Sequence, residues 1–156
     1  MTESATKIIS GKSARKTAGL FNIGNILAMA PGLFVVPFSL FGQPARMTLI
    51  MMLILMIVPS ILWFAASIVI YIIARHHPNE RAGHYTQQAA YRYYGVVGVI
   101  VVAGTFYGTN ANYWIITWAV CALVLIPWSI LDLIRIYKEN WQDMTVADTH
   151  AEETQQ

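Results

Sequence analysis

Charge is scarce in this chain: 12% of its 156 residues are Asp, Glu, Lys or Arg, where soluble domains carry about 25%. The gaps matter more than the total. No charged residue occurs from Thr17 to Ala45, from Met47 to Ala74 or from Tyr93 to Leu131. Such runs exclude a single water-soluble core, since roughly 20 apolar residues at about 1.5 Å each already span a bilayer. Cysteine is nearly absent too. Cys121, in the middle of the last apolar block, cannot form an intramolecular disulfide and reads as a small buried hydrophobe. No Ser–His–Asp spacing, paired carboxylates, phosphate-cradling loop or Cys-x-x-Cys motif occurs. Enzyme chemistry therefore has no candidate constellation, and no catalytic residue, cofactor or bound metal is expected.

What is present is apolar sequence, 56% of the chain, broken by turn formers. The expected fold is all-α: a polytopic membrane protein of four transmembrane helices, arranged as two hairpins. Spans of about 18–41, 48–74, 88–107 and 113–136 lie in a membrane domain of residues 18–141. A basic tail, 1–17, precedes it, and an acidic, disordered tail, 142–156, follows. Pro31, Gly32 and Pro37 favour a kink in the first span, and Pro59–Ser60 a bend in the second. GQPARM, residues 42–47, reads as one turn and GTNANY, 108–113, as the other. Span three is short, so it must borrow Gln87–Arg92 from the hinge, with Arg92 snorkelling to the headgroups. Met51, Met52 and Met56 recur near helical spacing. No Cys or His stands at their depth, so adaptable core packing outweighs a soft-metal path.

The hinge joining the hairpins, Arg75–Tyr94, is the one long polar stretch between the chain ends. With four spans, the hinge and both ends share a side that carries Lys7, Lys12, Arg15, Lys16, Arg75, Arg81, Arg92, Arg135 and Lys138. The opposite side carries Arg46. Basic residues concentrate on the cytoplasmic side, so N-in/C-in orientation with a cytoplasmic amphipathic hinge is expected, in the cytoplasmic (inner) membrane. The first apolar block is too long for a signal-peptide core and lacks a small-residue cleavage site, so no removable leader is expected. The basic tail suits anionic lipid headgroups. It has too few charges and no interleaved aromatics for nucleic acid, which is not an expected partner.

The candidate residues are polar side chains placed where polarity is costly. Asn22 and Asn25, one turn apart in the first span, read as packing glue between helices or as the lining of a polar route. His76, His77, His84 and Glu80 are metal-ligand types, but Pro78 breaks any regular spacing among them. On a helix continuing into span three, His84, Gln87, Gln88 and Tyr91 fall on one face at i, i+3, i+4 and i+7. That stripe is expected to pack onto the cytoplasmic ends of the other helices, with a partner dock or polar opening as alternatives. Asp132 has Arg135 one turn on and Arg92 at the same depth, which predicts an interfacial ion pair that fixes the helices.

Ile73–Arg75 closing a span, His84–Gln88–Ala89–Ala90 leading into the next, and the basic aromatic exit Ile134–Trp141 form a pattern. In these features the second half of the chain resembles a group of small four-helix bacterial membrane proteins. That group is similar in layout to the chloroplast inner-envelope import component of about twenty kilodaltons. The Pro-containing first span and the HHPNE insertion depart from it. The resemblance implies a non-enzymatic membrane component. Three functions stay open: an accessory or assembly subunit, a small transporter or channel-like oligomer, and a membrane anchor for a redox partner; a membrane-protein partner or a homo-oligomer is expected besides the membrane lipids.

Overall fold

A computed structural model describes residues 6–41, 45–108 and 111–147. Ser10 caps the first helix, α1 (Gly11–Met29), by accepting a hydrogen bond from the Ser13 amide at 3.2 Å. At Pro31 the regular ladder gives way to a 3₁₀ segment, Ala30–Phe34, before α2 (Val35–Leu40) resumes. The second rod is likewise interrupted. A π segment, Leu53–Ile57, separates α3 (Ala45–Met52) from α4 (Val58–Arg75), immediately before Pro59. The Ser60 hydroxyl donates to the Met56 carbonyl one turn back at 2.6 Å, the local back-bond a serine makes inside a helix.

His76 Nδ1 sits 2.9 Å from the Ile72 carbonyl at the end of α4. Asn79 then accepts from the Arg81 and Ala82 amides, at 3.1 and 3.3 Å, to start α5 (Glu80–Tyr107). Glu80 in the first turn suits the positive end of the helix dipole. The last helix, α6 (Ala111–Lys138), runs through Pro127 and ends on Arg135 and Lys138, which suit the negative end.

Four helical stretches, Gly11–Pro37, Arg46–Arg75, Glu80–Phe106 and Asn112–Lys138, are long and apolar enough to cross a membrane. Their outward faces support that reading. Ile73 is 70% exposed and Leu62 66%, in company with Ile61, Val69 and Ile72 on α4. An apolar face this continuous is unfavourable against water and suited to lipid. Inside, α1 packs against α4, α5 and α6. Met52 and Met56 are buried in the core with Trp118 and Leu125, which makes the methionines packing material.

Several boundaries differ from the sequence expectation. The first helix starts at Gly11 instead of near residue 18, so Lys12, Arg15 and Lys16 are helical. Helix α5 starts at Glu80 and runs on through the third span as one rod, the continuous helix that the spacing predicts. Ala45, Arg46 and Met47 of the expected 42–47 turn belong to α3, and Ala111 and Asn112 of the other turn belong to α6, ahead of the expected start at Tyr113. Residues 42–44 and 109–110 lie outside the described residues. So do 1–5 and 148–156, and with them five residues of the expected basic tail and nine of the expected acidic one. The described parts of those tails are ordered. Strand β1 (Thr6–Ile9) pairs antiparallel with β2 (Met144–Ala147), Thr6 opposite Ala147 and Ile9 opposite Met144. Just inside the ribbon, the Gly11 amide donates to Asp143 Oδ1 at 2.7 Å. Ala18, Ala82 and Ile136 close the bundle beneath it, with Tyr85 and Trp141 against them. The hinge and both flanking strands thus share one end of the bundle.

Gly24 sets how closely α1 and α4 approach, because a Cβ there would fall inside the indole ring of Trp63. At Gly98 a Cβ would meet nothing within 4 Å. Gly24→Ala is expected to lower the midpoint of thermal unfolding in detergent by several degrees, while Gly98→Ala leaves it unchanged or slightly raised. Equal effects at the two positions would contradict this packing.

Candidate functional site

The polar residues singled out by sequence sort into a buried seam and an outward stripe. The seam runs through the interface of α1, α5 and α6, where Asn22, Asn25, Thr86, Ser129 and Asp132 are all buried. Its α5 wall is made of small side chains. Ala82, Thr86, Ala89 and Ala90 present almost no surface to the outside, which lets α1 and α6 come close and leaves room for polar groups between them.

Asn25 is the tie at one level of the seam. Its Nδ2 donates to the Ala89 carbonyl on α5 at 3.4 Å, and its Oδ1 accepts from Trp63 Nε1 on α4 at 3.0 Å. One amide therefore joins three helices. Phe21, Trp63, Tyr93 and Tyr94 pack edge-on around it, with ring centroids 5.4 to 6.4 Å apart. Ser67 ties Tyr94 to α4 through a 3.1 Å contact between hydroxyls. Asn22, one turn away, is equally buried, yet neither of its amide atoms has a hydrogen-bond partner.

Asp132 is the tie at the next level. Its side chain has no accessible surface and is paired with Arg92 Nη1, while Arg135 Nη1 stands 3.8 Å from its other oxygen. Arg92, at the depth expected for a partner of Asp132, makes that pair while its side chain stays 28% exposed. Its guanidinium stacks over Trp128, 5.1 Å from the ring centroid, and its Nη2 is 3.4 Å from Gln88 Oε1. The reason is energetic. A carboxylate without a counter-charge at this depth would be far costlier than a guanidinium withdrawn from the headgroups. Nearer the hinge the Tyr85 hydroxyl donates to Glu139, and Trp141 Nε1 donates to the Ile136 carbonyl at 2.8 Å.

The stripe His84–Gln87–Gln88–Tyr91 does share a face, but it is not the face that packs. Tyr91 is 60% exposed, and the alanine side of α5 makes the helix contacts instead. The stripe bonds to itself: Gln87 Nε2 donates to the Tyr91 hydroxyl at 2.7 Å, and Gln88 Nε2 lies 2.9 Å from His84 Nε2. His77 Nδ1 accepts from the Asn79 amide at 3.1 Å. Among the described residues, no group of three His, Cys, Asp or Glu side chains is placed to hold a metal ion.

Sequence reasoning found Arg92, Asp132, Arg135, Asn22 and Asn25 through the cost of polarity in hydrocarbon. It missed Trp63 as the partner of Asn25. A tryptophan amid apolar residues carries no local mark of what its N–H will reach. Comparison with known proteins finds no matching family model, no matching curated protein and no matching solved structure.

The two asparagines make opposite predictions. Asn25→Leu strands the Trp63 N–H and removes the bond to Ala89, so it is expected to cost about 1 kcal/mol of stability in detergent. Asn22→Leu loses no hydrogen bond to the protein and is expected to be neutral or stabilising. Thermal unfolding of both variants checks this, and a larger loss at Asn22 would contradict the assignment.

Proposed function

We propose that this chain is a four-pass protein of the cytoplasmic membrane that works without catalysis, as an accessory or assembly subunit. The observation that carries the reading is the use made of Asn25 and Asp132. Both side chains could line a route across the membrane, and both are consumed in contacts between helices. The bundle is thereby a rigid mount. Its hinge end presents the outward His84–Gln87–Gln88–Tyr91 stripe, whose donors and acceptors suit the polar surface of a partner protein.

Purification of the full chain in mild detergent is expected to bring down a larger membrane protein at fixed stoichiometry. His84→Ala combined with Tyr91→Ala is expected to reduce that recovery. Isolation of the chain alone, or as a homo-oligomer, would contradict the reading.

Nine of the ten basic residues belong to the hinge side of the chain and Arg46 to the other, which supports a cytoplasmic hinge and cytoplasmic ends. Arg81 and Arg46 are exposed near opposite ends of the rods, so they serve as reporters once buried Cys121 is replaced. A membrane-impermeant maleimide is expected to label Arg46→Cys in intact cells, and Arg81→Cys only after permeabilisation. Labelling of both from one side would overturn the orientation.

A second reading, a small transporter or channel-like oligomer, is favoured by Asn22, whose buried amide has no partner, and by the unbonded Oδ1 of Asp132. It requires that ion or solute flux into vesicles reconstituted with the chain be lost in Asn22→Leu. Flux equal to that of protein-free vesicles counts against it.

A further inference from the structure

In the half of the bundle away from the hinge, a cavity of about 480 Å³ lies between the second rod and the last two helices. Met52 and Met56 wall it on the second rod, Ile100 on α5, and Trp114 and Trp118 on α6. Leu49 and Ile61, also in its lining, are exposed on the faces suited to lipid, so the cavity opens toward the bilayer. Its size is that of a ligand site, yet its polar groups are spent or turned away. The Ser60 hydroxyl donates to the Met56 carbonyl, Trp114 Nε1 donates to the Gly108 carbonyl at 3.3 Å, and Trp118 Nε1 is buried. The lining therefore offers contact to hydrocarbon and nothing that would orient a polar solute. Arg46, exposed, stands one turn before Leu49 on α3, at the mouth of the cavity. No carboxylate opposes it. Across Thr17–Ala74 and Tyr93–Leu131 together, Arg46 is the only charged residue. The first turns of α3 and α6, which begin at this end, contain no acid either, so the helix dipoles add to the same sign.

We infer that this cavity holds one acyl chain of an anionic phospholipid whose headgroup phosphate lies against Arg46. The unopposed guanidinium selects an anion, and its fork matches phosphate geometry. The lining without free donors selects hydrocarbon, and the opening toward the bilayer selects an amphiphile over a dissolved anion. A second copy of this chain fits less well, because it has no carboxylate at this end to offer Arg46. The depth agrees too: Tyr113, half exposed at the start of α6, is an aromatic of the kind found where headgroups meet acyl chains.

Photo-crosslinking of the full chain in phosphatidylcholine vesicles tests this. The probes are trace phosphatidylglycerol and trace phosphatidylcholine, each with a diazirine at the end of one acyl chain, and mass spectrometry maps the adducts. In the wild-type chain the phosphatidylglycerol probe is expected to label the cavity walls about fivefold over the phosphatidylcholine probe, the effect of one basic side chain near an anionic lipid. Val101 and Val102, exposed on α5 outside the cavity, are expected to show no preference. Arg46→Gln is expected to equalise the two probes at the walls, and Lys16→Gln, at the hinge end, to leave the preference intact. Ile100→Trp fills the cavity and is expected to lower wall labelling by both probes. Equal wall labelling in the wild-type chain would overturn the proposal. So would a preference as large at Val101 and Val102, or one lost equally in Lys16→Gln, since the attraction would then be diffuse. Should Ile100→Trp lose helicity by circular dichroism, Arg46→Gln decides alone, and an unchanged preference in that variant overturns the site.

Discussion

The ion pair between Arg92 and Asp132 is the contact on which the arrangement of α5 and α6 depends. A carboxylate with no accessible surface in a bundle of apolar rods is tolerable only with a counter-charge at hydrogen-bonding distance. That demand fixes the relative height of the two helices. It also explains why Arg92 turns inward, why Trp128 lies under its guanidinium, and why Gln88 is drawn to the same spot. A shift of either rod by one turn would part Arg92 from Asp132 and leave the carboxylate only Arg135 on its own helix, 3.8 Å away.

The other ties follow the same logic with weaker partners. Asn25 holds α1 to α4 and α5 with one amide, and Ser67 holds α4 to Tyr94. In lipid there is little hydrophobic drive for helices to associate, because acyl chains are as apolar as leucine. Polar ties and small-residue faces do that work instead. The alanines of α5 supply the close approach, and Gly24 admits Trp63 between α1 and α4. The π segment stands before Pro59 and the 3₁₀ segment at Pro31, the two places where a proline N–H is missing from the ladder.

Much of this was legible from residue order, for a physical reason. The cost of a charge in hydrocarbon is large and local, so the uncharged runs gave four helices and the position of Asp132 gave its pairing with Arg92. The kinks followed from the missing N–H of proline. What escaped was decided by tertiary contact. The outward turn of the His84–Tyr91 stripe depended on α1 and α6 preferring the alanine face of the same helix, and amphipathic spacing alone does not say which face packs. The pairing of Thr6–Ile9 with Met144–Ala147 joins segments separated by the whole bundle, and strands of four residues carry too little pattern to announce themselves.

A double-mutant cycle on Arg92 and Asp132, read by equilibrium unfolding of the full chain in detergent, bears most directly on this account. Arg92→Met and Asp132→Leu should each cost on the order of 3 kcal/mol, because the first leaves the buried carboxylate only the more distant Arg135 and the second leaves a partly buried guanidinium without its acceptor. The double variant should recover most of that loss, since apolar side chains then face one another. Additive losses in the double variant would show that the two side chains do not hold each other, and the account would fail.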